Sequence, residues 1–318
     1  MKSRSLVLLS GEPTSVPGAE ARALFLAYDA GSKFESPESR VLLAESVADP
    51  FVIASRVAFS KRVGPLVSDP SEVAEAVRGK TIRVRSFSLQ EGRPEVPPEQ
   101  LLRGLDVKVE LRTPQFELTV VEGKERYLAL TSPSSMKQGW SLRRPRRRPY
   151  FHPAAIFPKL SRALVNLSRC RQGDVFLDPF AGTGSLAIEA SEVGAKVVAF
   201  DRAWKMSRGS LSNMRAFGQE WLGVVNCDSF SPPITGVDAI ATDVPYGRAS
   251  TTAGKEASLV VLDALSVASS LLKRGSVLVI MHPKSLPADP GSDWAIEEEH
   301  DLYVHKRLTR TITILRRR

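Results

Sequence analysis

A chain of 318 residues with 42% hydrophobic and 25% charged side chains has the composition of a soluble globular protein of two or three domains. No apolar run approaches the ~20 residues of a membrane span, and Leu6–Leu9 is only strand length, so neither a membrane protein nor a secreted one is expected. Cys170 and Cys227 are the only cysteines and the four histidines are scattered. That leaves no disulfide framework and no metal site, and implies a reduced, cytoplasmic protein. The net charge of +9 is concentrated: residues 143–171 hold nine Lys/Arg and no Asp/Glu, while the rest of the chain is balanced. A basic stripe between two otherwise neutral regions suits a polyanion better than a solvated linker does.

In chain order, residues 1–60 alternate short apolar runs with helical spacing. Strands are expected at 5–9 and 40–44, and helices at 18–27 and 50–58. Residues 61–135 continue the mixture, with a helix at 71–77, a half-buried strand at 81–87 carrying Arg83 and Arg85, and a short helix at 99–105. Strands follow at 106–111, 115–121 and 126–130, the last two joined as a hairpin through Glu122-Gly-Lys124. This order predicts an α+β region with no catalytic cluster. It resembles a small ferredoxin-like domain (1–60) followed by a THUMP RNA-binding domain (61–135).

Residues 136–152 read as a basic linker. Within it, Arg143-Arg-Pro-Arg-Arg-Arg-Pro149 cannot form a regular helix because its prolines interrupt the hydrogen-bond ladder. Arg143, Arg144, Arg146, Arg147 and Arg148 are therefore expected as an extended strap whose guanidinium forks meet phosphates. Ile156, Leu160, Leu164 and Leu167 then recur at helical spacing.

Residues 153–318 carry the chemistry. Val175-Phe-Leu177 reads as a buried strand, Asp178-Pro-Phe-Ala-Gly-Thr-Gly-Ser185 as a glycine turn, and Leu186–Ala190 as the start of a helix. Such a turn at the carboxyl edge of a parallel sheet is a ligand site, and its glycines let backbone approach a ligand closely. The turn lacks the third glycine of a dinucleotide fingerprint and the lysine of a P-loop. The carboxylate of Asp178 would repel a pyrophosphate and suits an ammonium or a hydroxyl. Asp201 ends the next strand (195–201), 23 residues on, where a carboxylate can take ribose hydroxyls. Asp228 ends a third strand (222–228). A fourth (237–246) ends in Asp243-Val-Pro-Tyr246. A helix at 257–273, a strand at 275–281 and an antiparallel pair at 294–304 and 311–315 complete the pattern.

The D-P-F-A-G-T-G turn resembles the first motif of the class I S-adenosylmethionine (SAM) methyltransferases. The resemblance implies a Rossmann-like α/β sheet, mostly parallel with an antiparallel closing strand. It implies a donor site formed by Asp178, Pro179, Ala181, Gly182, Thr183, Gly184, Asp201, Arg202, Cys227 and Asp228. Asp243-Val-Pro-Tyr stands where amino-methyltransferases carry [D/N]-P-P-[Y/F/W]. An exocyclic base amine is a poor nucleophile because its lone pair is delocalised. The Asp243 carboxylate and Val244 carbonyl are candidate acceptors for its N–H groups, turning the lone pair toward the donor. Pro245 fixes the turn, and Tyr246 would stack on an extruded base. Val244 replaces the first proline of the tetrad, which puts loop rigidity in question.

The stretch R-P-Y-F-H-P…P-K-L-S-R-A-L-V-N-L and the continuation Gly247-Arg248 resemble the archaeal and eukaryotic tRNA (guanine-10-N2)-methyltransferases, which pair a THUMP region with a class I methyltransferase. The resemblance implies methylation of guanosine N2 in tRNA with SAM as cofactor, Arg248 as an RNA contact, and a small zinc-binding activator subunit as a further partner. The rival readings are a DNA adenine-N6 or cytosine-N4 methyltransferase, which shares the tetrad, and an RNA-binding protein with a decayed catalytic domain.

Overall fold

The computed structural model describes residues 2–12, 14–90, 98–133, 139–218, 220–245, 257–283, 290–305 and 308–318. Two compact units result, residues 1–13 with 17–138, and residues 14–16 with 139–318.

The N-terminal unit is built on strands β1 (Ser3–Leu9), β2 (Lys33–Glu38), β3 (Val41–Ser46), β4 (Ser60–Val67), β5 (Thr81–Ser88), β6 (Lys108–Val109), β7 (Phe116–Glu122) and β8 (Arg126–Thr131). They form one eight-stranded sheet in the order β2-β3-β1-β4-β8-β7-β5-β6. Helices α1 (Val16–Tyr28), α2 (Pro50–Arg56) and α3 (Pro70–Ala76) complete the unit. The apolar run of β1 is buried because it serves two clusters alternately. Val7 and Leu9 join Leu24 and Phe25, while Leu6 and Leu8 join Val121 and Tyr127. Asp49 and Asp69 cap α2 and α3, accepting from Phe51 N at 2.8 Å and Ser71 N at 2.7 Å.

Several expectations change here. The helix expected at 99–105 is a 3-10 turn, Pro98–Leu102, and the strand expected at 106–111 shortens to Lys108–Val109. Val107 packs against the Ile82–Leu118 cluster, but Val109 and Leu111 are exposed, so the burial that would sustain a longer strand stops at the first of the alternating residues. The strands β2 and β4 were not foreseen, because one is largely polar and the other is interrupted by Gly64 and Pro65. Yet β4 pairs with β1 on one side and β8 on the other, carrying the sheet across residue 60 without a break.

The C-terminal unit contains α4 (Pro158–Leu167), β9 (Val175–Asp178), α5 (Ser185–Glu192), β10 (Lys196–Asp201), α6 (Trp204–Phe217) and β11 (Trp221–Asn226). It continues with β12 (Ala239–Asp243), α7 (Ala257–Leu271), β13 (Val277–Pro283), β14 (Trp294–His305) and β15 (Leu308–Arg317). Its seven-stranded sheet runs β11-β10-β9-β12-β13-β15-β14. The first five strands are parallel, and β15 and β14 close the sheet antiparallel. Sequence order reverses between β9 and β12. At that switch point the two flanking loops diverge and open a crevice at the carboxyl ends of the strands. Helix α6 was not foreseen, since its serines and Gly209 obscure the helical pattern. Gly209 is required by packing, because a Cβ there would come within 2.1 Å of the Tyr150 ring.

Candidate active site

The crevice holds a cavity of about 400 Å³, within the size range of small-molecule sites. The glycine turn forms its floor. Gly182 and Gly184 have φ of +53° and +79°, and a Cβ on Gly184 would also meet Ser210 Oγ at 2.6 Å. Only glycine satisfies both demands at position 184. The turn is held by Asp201, whose Oδ2 accepts from Gly182 N at 2.9 Å and whose Oδ1 accepts from Ala203 N at 2.8 Å. Burial nonetheless raises the pKa of Asp201.

Asp178 is fully buried at the end of β9. Its Oδ1 accepts from Thr242 Oγ1 at 2.7 Å and from Phe180 N at 3.2 Å. Burial outweighs these bonds and pushes the carboxyl up to about 7, helped by the negative charges of Asp243 and Asp201. A bound cation nearby would hold it ionised. Phe180 and Phe230 meet edge to face with ring centroids 5.8 Å apart and give the cavity an apolar wall. Asp228, just beyond β11, lines the same space and caps its own loop by accepting from Phe230 N at 3.1 Å.

The opposite wall comes from the segment before α4: His152, Ala154, Ala155 and Ile156. Asn213 of α6 fixes it, accepting from Tyr150 N at 2.9 Å and donating through Nδ2 to the Tyr150 and Thr183 carbonyls. One side chain thus ties this wall to the glycine turn.

Asp243 ends β12 and lines the cavity with Val244 and Pro245. Its Oδ2 accepts from Arg310 of β15 at 3.1 Å, while Oδ1 is buried without a partner among the described residues. Burial raises the Asp243 carboxyl to about 6 against the opposing pull of Arg310. Val244 resolves the question of loop rigidity. Its side chain is buried in the apolar cluster, and its N–H donates to Met281 O at 2.9 Å. A proline here could not make that bond, so the strand ladder fixes the backbone in place of a ring.

Of the expected donor-site residues, Asp178, Ala181, Gly182, Thr183, Asp201, Arg202 and Asp228 converge on the cavity. Pro179, Gly184 and Cys227 do not line it. Pro179 accepts from Ser229 Oγ, Gly184 caps α5, and Cys227 packs against the core. Tyr246 and Arg248 lie outside the described residues.

The strap requires a correction. Arg143 and Arg148 are buried and serve the fold. Arg143 pairs with Glu189 at 2.7 Å and Glu192 at 3.0 Å, with its guanidinium over the Trp140 ring. Arg148 donates to the Arg143 carbonyl, to Ser185 Oγ at 2.6 Å and to the Ile156 carbonyl. Burial lowers its pKa to about 10, which leaves it charged at neutral pH. A basic run with no acid nearby in sequence gave no hint of Glu189, which α5 supplies from 46 residues away. Arg144, Arg146 and Arg147 remain exposed.

Acids at the ends of adjacent parallel strands, a glycine turn between them and an apolar wall belong to the fold of a Rossmann-like methyltransferase. The residues fit SAM: carboxylates suit its cationic centres and ribose hydroxyls, and the phenylalanines suit its adenine. The RMKL-like methyltransferase domain (UPF0020) matches residues 145–312, and the chain belongs to that family. It is a methyltransferase, with SAM as its cofactor.

Among relatives, a tRNA (guanine(10)-N2)-dimethyltransferase of Methanothermobacter thermautotrophicus is 28% identical, covering 98% of this chain and 99% of its own. Another enzyme of that name, from Methanocaldococcus jannaschii, is 33% identical over 55% of this chain and 50% of its own. The crystal structure of TrmN from Thermus thermophilus superposes with a TM-score of 0.51 at 18% identity, over 99% of this chain and 100% of its own, a likeness of fold. No helix among the described residues is long and apolar enough to cross a membrane.

Proposed function

We propose that the protein transfers a methyl group from SAM to the exocyclic N2 of guanosine in tRNA, at position 10 as in its named relatives. The observation that carries this reading is the Oδ1 of Asp243, buried without a partner among the described residues, beside the Val244 backbone and on the same cavity as Asp178, Asp201 and Asp228. An ionised Asp243 accepts an N–H of the base amine and directs the nitrogen lone pair into the cavity. SAM, when bound, would supply a methyl carbon made electrophilic by its sulfonium and would leave as the neutral thioether. The proton then lost from nitrogen passes to Asp243 and on to solvent. Asp178 and Asp201 keep to the donor side and take no proton from the substrate.

The relatives act on tRNA, which favours guanine N2 over the adenine or cytosine amines that the same tetrad can serve. In this reading the N-terminal unit is a ferredoxin-like and THUMP-like RNA-binding region, and exposed Arg144, Arg146 and Arg147 meet phosphates. Tyr246 stacks on the extruded base, and Arg248 makes a further RNA contact. The protein works in the cytoplasm. A small zinc-binding activator, where one is used, pairs with an exposed sheet edge such as β11, whose Leu222 is 61% exposed. Incubation with bulk tRNA and SAM, digestion to nucleosides and mass spectrometry test the reading. N2-methyl- or N2,N2-dimethylguanosine is expected, and methylated adenine or cytosine would overturn it.

A further inference from the structure

We infer that Arg310 is a positioning residue that keeps Asp243 ionised and oriented, so that Oδ1 is left to accept the substrate amine; this rests on the reading of Asp243 given above. The two residues are 67 positions apart in sequence and meet because β13 lies between their strands in the sheet, pairing with both. In register, Asp243 stands opposite Met281, and Arg310 opposite Pro283, two residues further on. Arg310 therefore reaches across the carboxyl end of β13 to the tip of β12. Its Nη1 holds Oδ2 at 3.1 Å, and both side chains line the cavity. Oδ1 of Asp243 has no partner among the described residues.

The charges facing Asp243 are few among the described residues. From β9 comes Asp178, a like charge that disfavours ionisation. On β13, His282 turns away to Thr313 Oγ1 and its own strand's Pro283 carbonyl. On α4, Arg162 is taken by Glu189. Arg310 is thus the positive charge that opposes burial at Asp243. A protonated Asp243 could still occupy the same space, but it would present a hydroxyl to a group that can only donate. Arg310 need not touch the substrate to set the rate; it acts through the carboxylate.

The test compares wild type, Arg310→Met and Arg310→Lys in two measurements. In the first, unloaded protein carrying 13C-labelled aspartate carboxyls is titrated by NMR, with the Asp243 resonance assigned from Asp243→Asn. Arg310→Met should move the Asp243 titration upward by a pH unit or more, and Arg310→Lys should return most of it. In the second, the acid limb of the kcat profile for methyl transfer to tRNA should move with the titration. At pH 6.5 the Met variant should then be about threefold or more slower than wild type, with much of the deficit recovered at pH 8.5. An unmoved NMR titration overturns the inference whatever the reaction. A moved titration with an unmoved kinetic limb overturns its catalytic part. A wild-type enzyme that leaves tRNA unmethylated, with the NMR shift present, counts against the function and not against the pairing.

Discussion

Glu117 in the N-terminal unit and Asp243 in the C-terminal unit are both acids drawn inside a sheet, and their surroundings differ in one respect. Glu117 lies on β7 with its side chain out of solvent, and both its oxygens are engaged by guanidinium groups. Arg62 pairs with Oε1, and Arg83 with Oε2 at 2.8 Å. Thr119 Oγ1 donates to it as well, at 3.4 Å. Asp243 has one arginine on one oxygen and, among the described residues, nothing on the other. A buried charge whose lone pairs are all taken holds a fold together, and one with an oxygen left over retains something to give a substrate. Glu189, shared by Arg143 and Arg162, belongs with Glu117. Arg83, expected on a half-buried strand, is engaged by Glu117 in this way.

The sharpest break between the two sites is Asp243→Ala. Losing an oriented charged acceptor should cost about 3–4 kcal/mol of transition-state stabilisation, or two to three orders of magnitude in kcat. SAM affinity should change little, since Asp178, Asp201 and Asp228 are the residues proposed for the donor side. Calorimetry showing collapse of SAM binding in this variant would put Asp243 on the wrong side of the site. Glu117→Ala should do the reverse. It should lower the stability of the N-terminal unit by about 2–4 kcal/mol, because two half-buried arginines lose their partner, and leave the SAM dissociation constant as it was. A melting temperature matching wild type would show that the ion-pair cluster holds little.

Asp178 sharpens the comparison through pH. Its folded pKa of about 7 lies above the ordinary value of 3.8, so the folded state holds a proton that the unfolded chain has released. Stability should therefore fall as pH rises from about 4 to about 7. Asp178→Asn keeps an acceptor for Thr242 and Phe180 and removes the charge. At pH 8 it should melt higher than unliganded wild type, by about 1–3 kcal/mol, with the difference closing near pH 4 while SAM affinity is lost. A difference that stays constant with pH would mean that the buried charge is not its source.

The smallest effect concerns the strap, now divided between inward and outward arginines. Replacing exposed Arg144, Arg146 and Arg147 with alanine should flatten the slope of log tRNA affinity against log salt by roughly two to three, at about 0.9 for each phosphate contact. Folding should be unchanged. Replacing Arg143 and Arg148 instead should lower the melting temperature and loosen SAM, because Arg148 ties Ser185 to the Ile156 carbonyl on the cavity wall. Equal effects from the two sets would erase the division.

The parts of this protein whose chemistry is local are legible in the order of its residues. The run Val175–Ser185 carries its own strand, its own φ > 0 glycines and its own carboxylate. Asp201, Asp228 and Asp243 each end an apolar stretch that alternation and length already mark as a strand. Acids at strand ends and glycines in turns follow from rules acting over a few residues, so the residues that converge on the cavity could be read from the chain. Tertiary structure alone decided which distant groups those residues meet. Arg310 reaches Asp243 only because β13 and β15 pair antiparallel, and Asn213 joins Tyr150 to Thr183 only because α6 packs where it does. Glu189 draws Arg143 inward from a stretch that by charge alone belonged in solvent. Burial and ion pairing depend on which elements become neighbours, and register across a sheet joins residues that no sequence window contains.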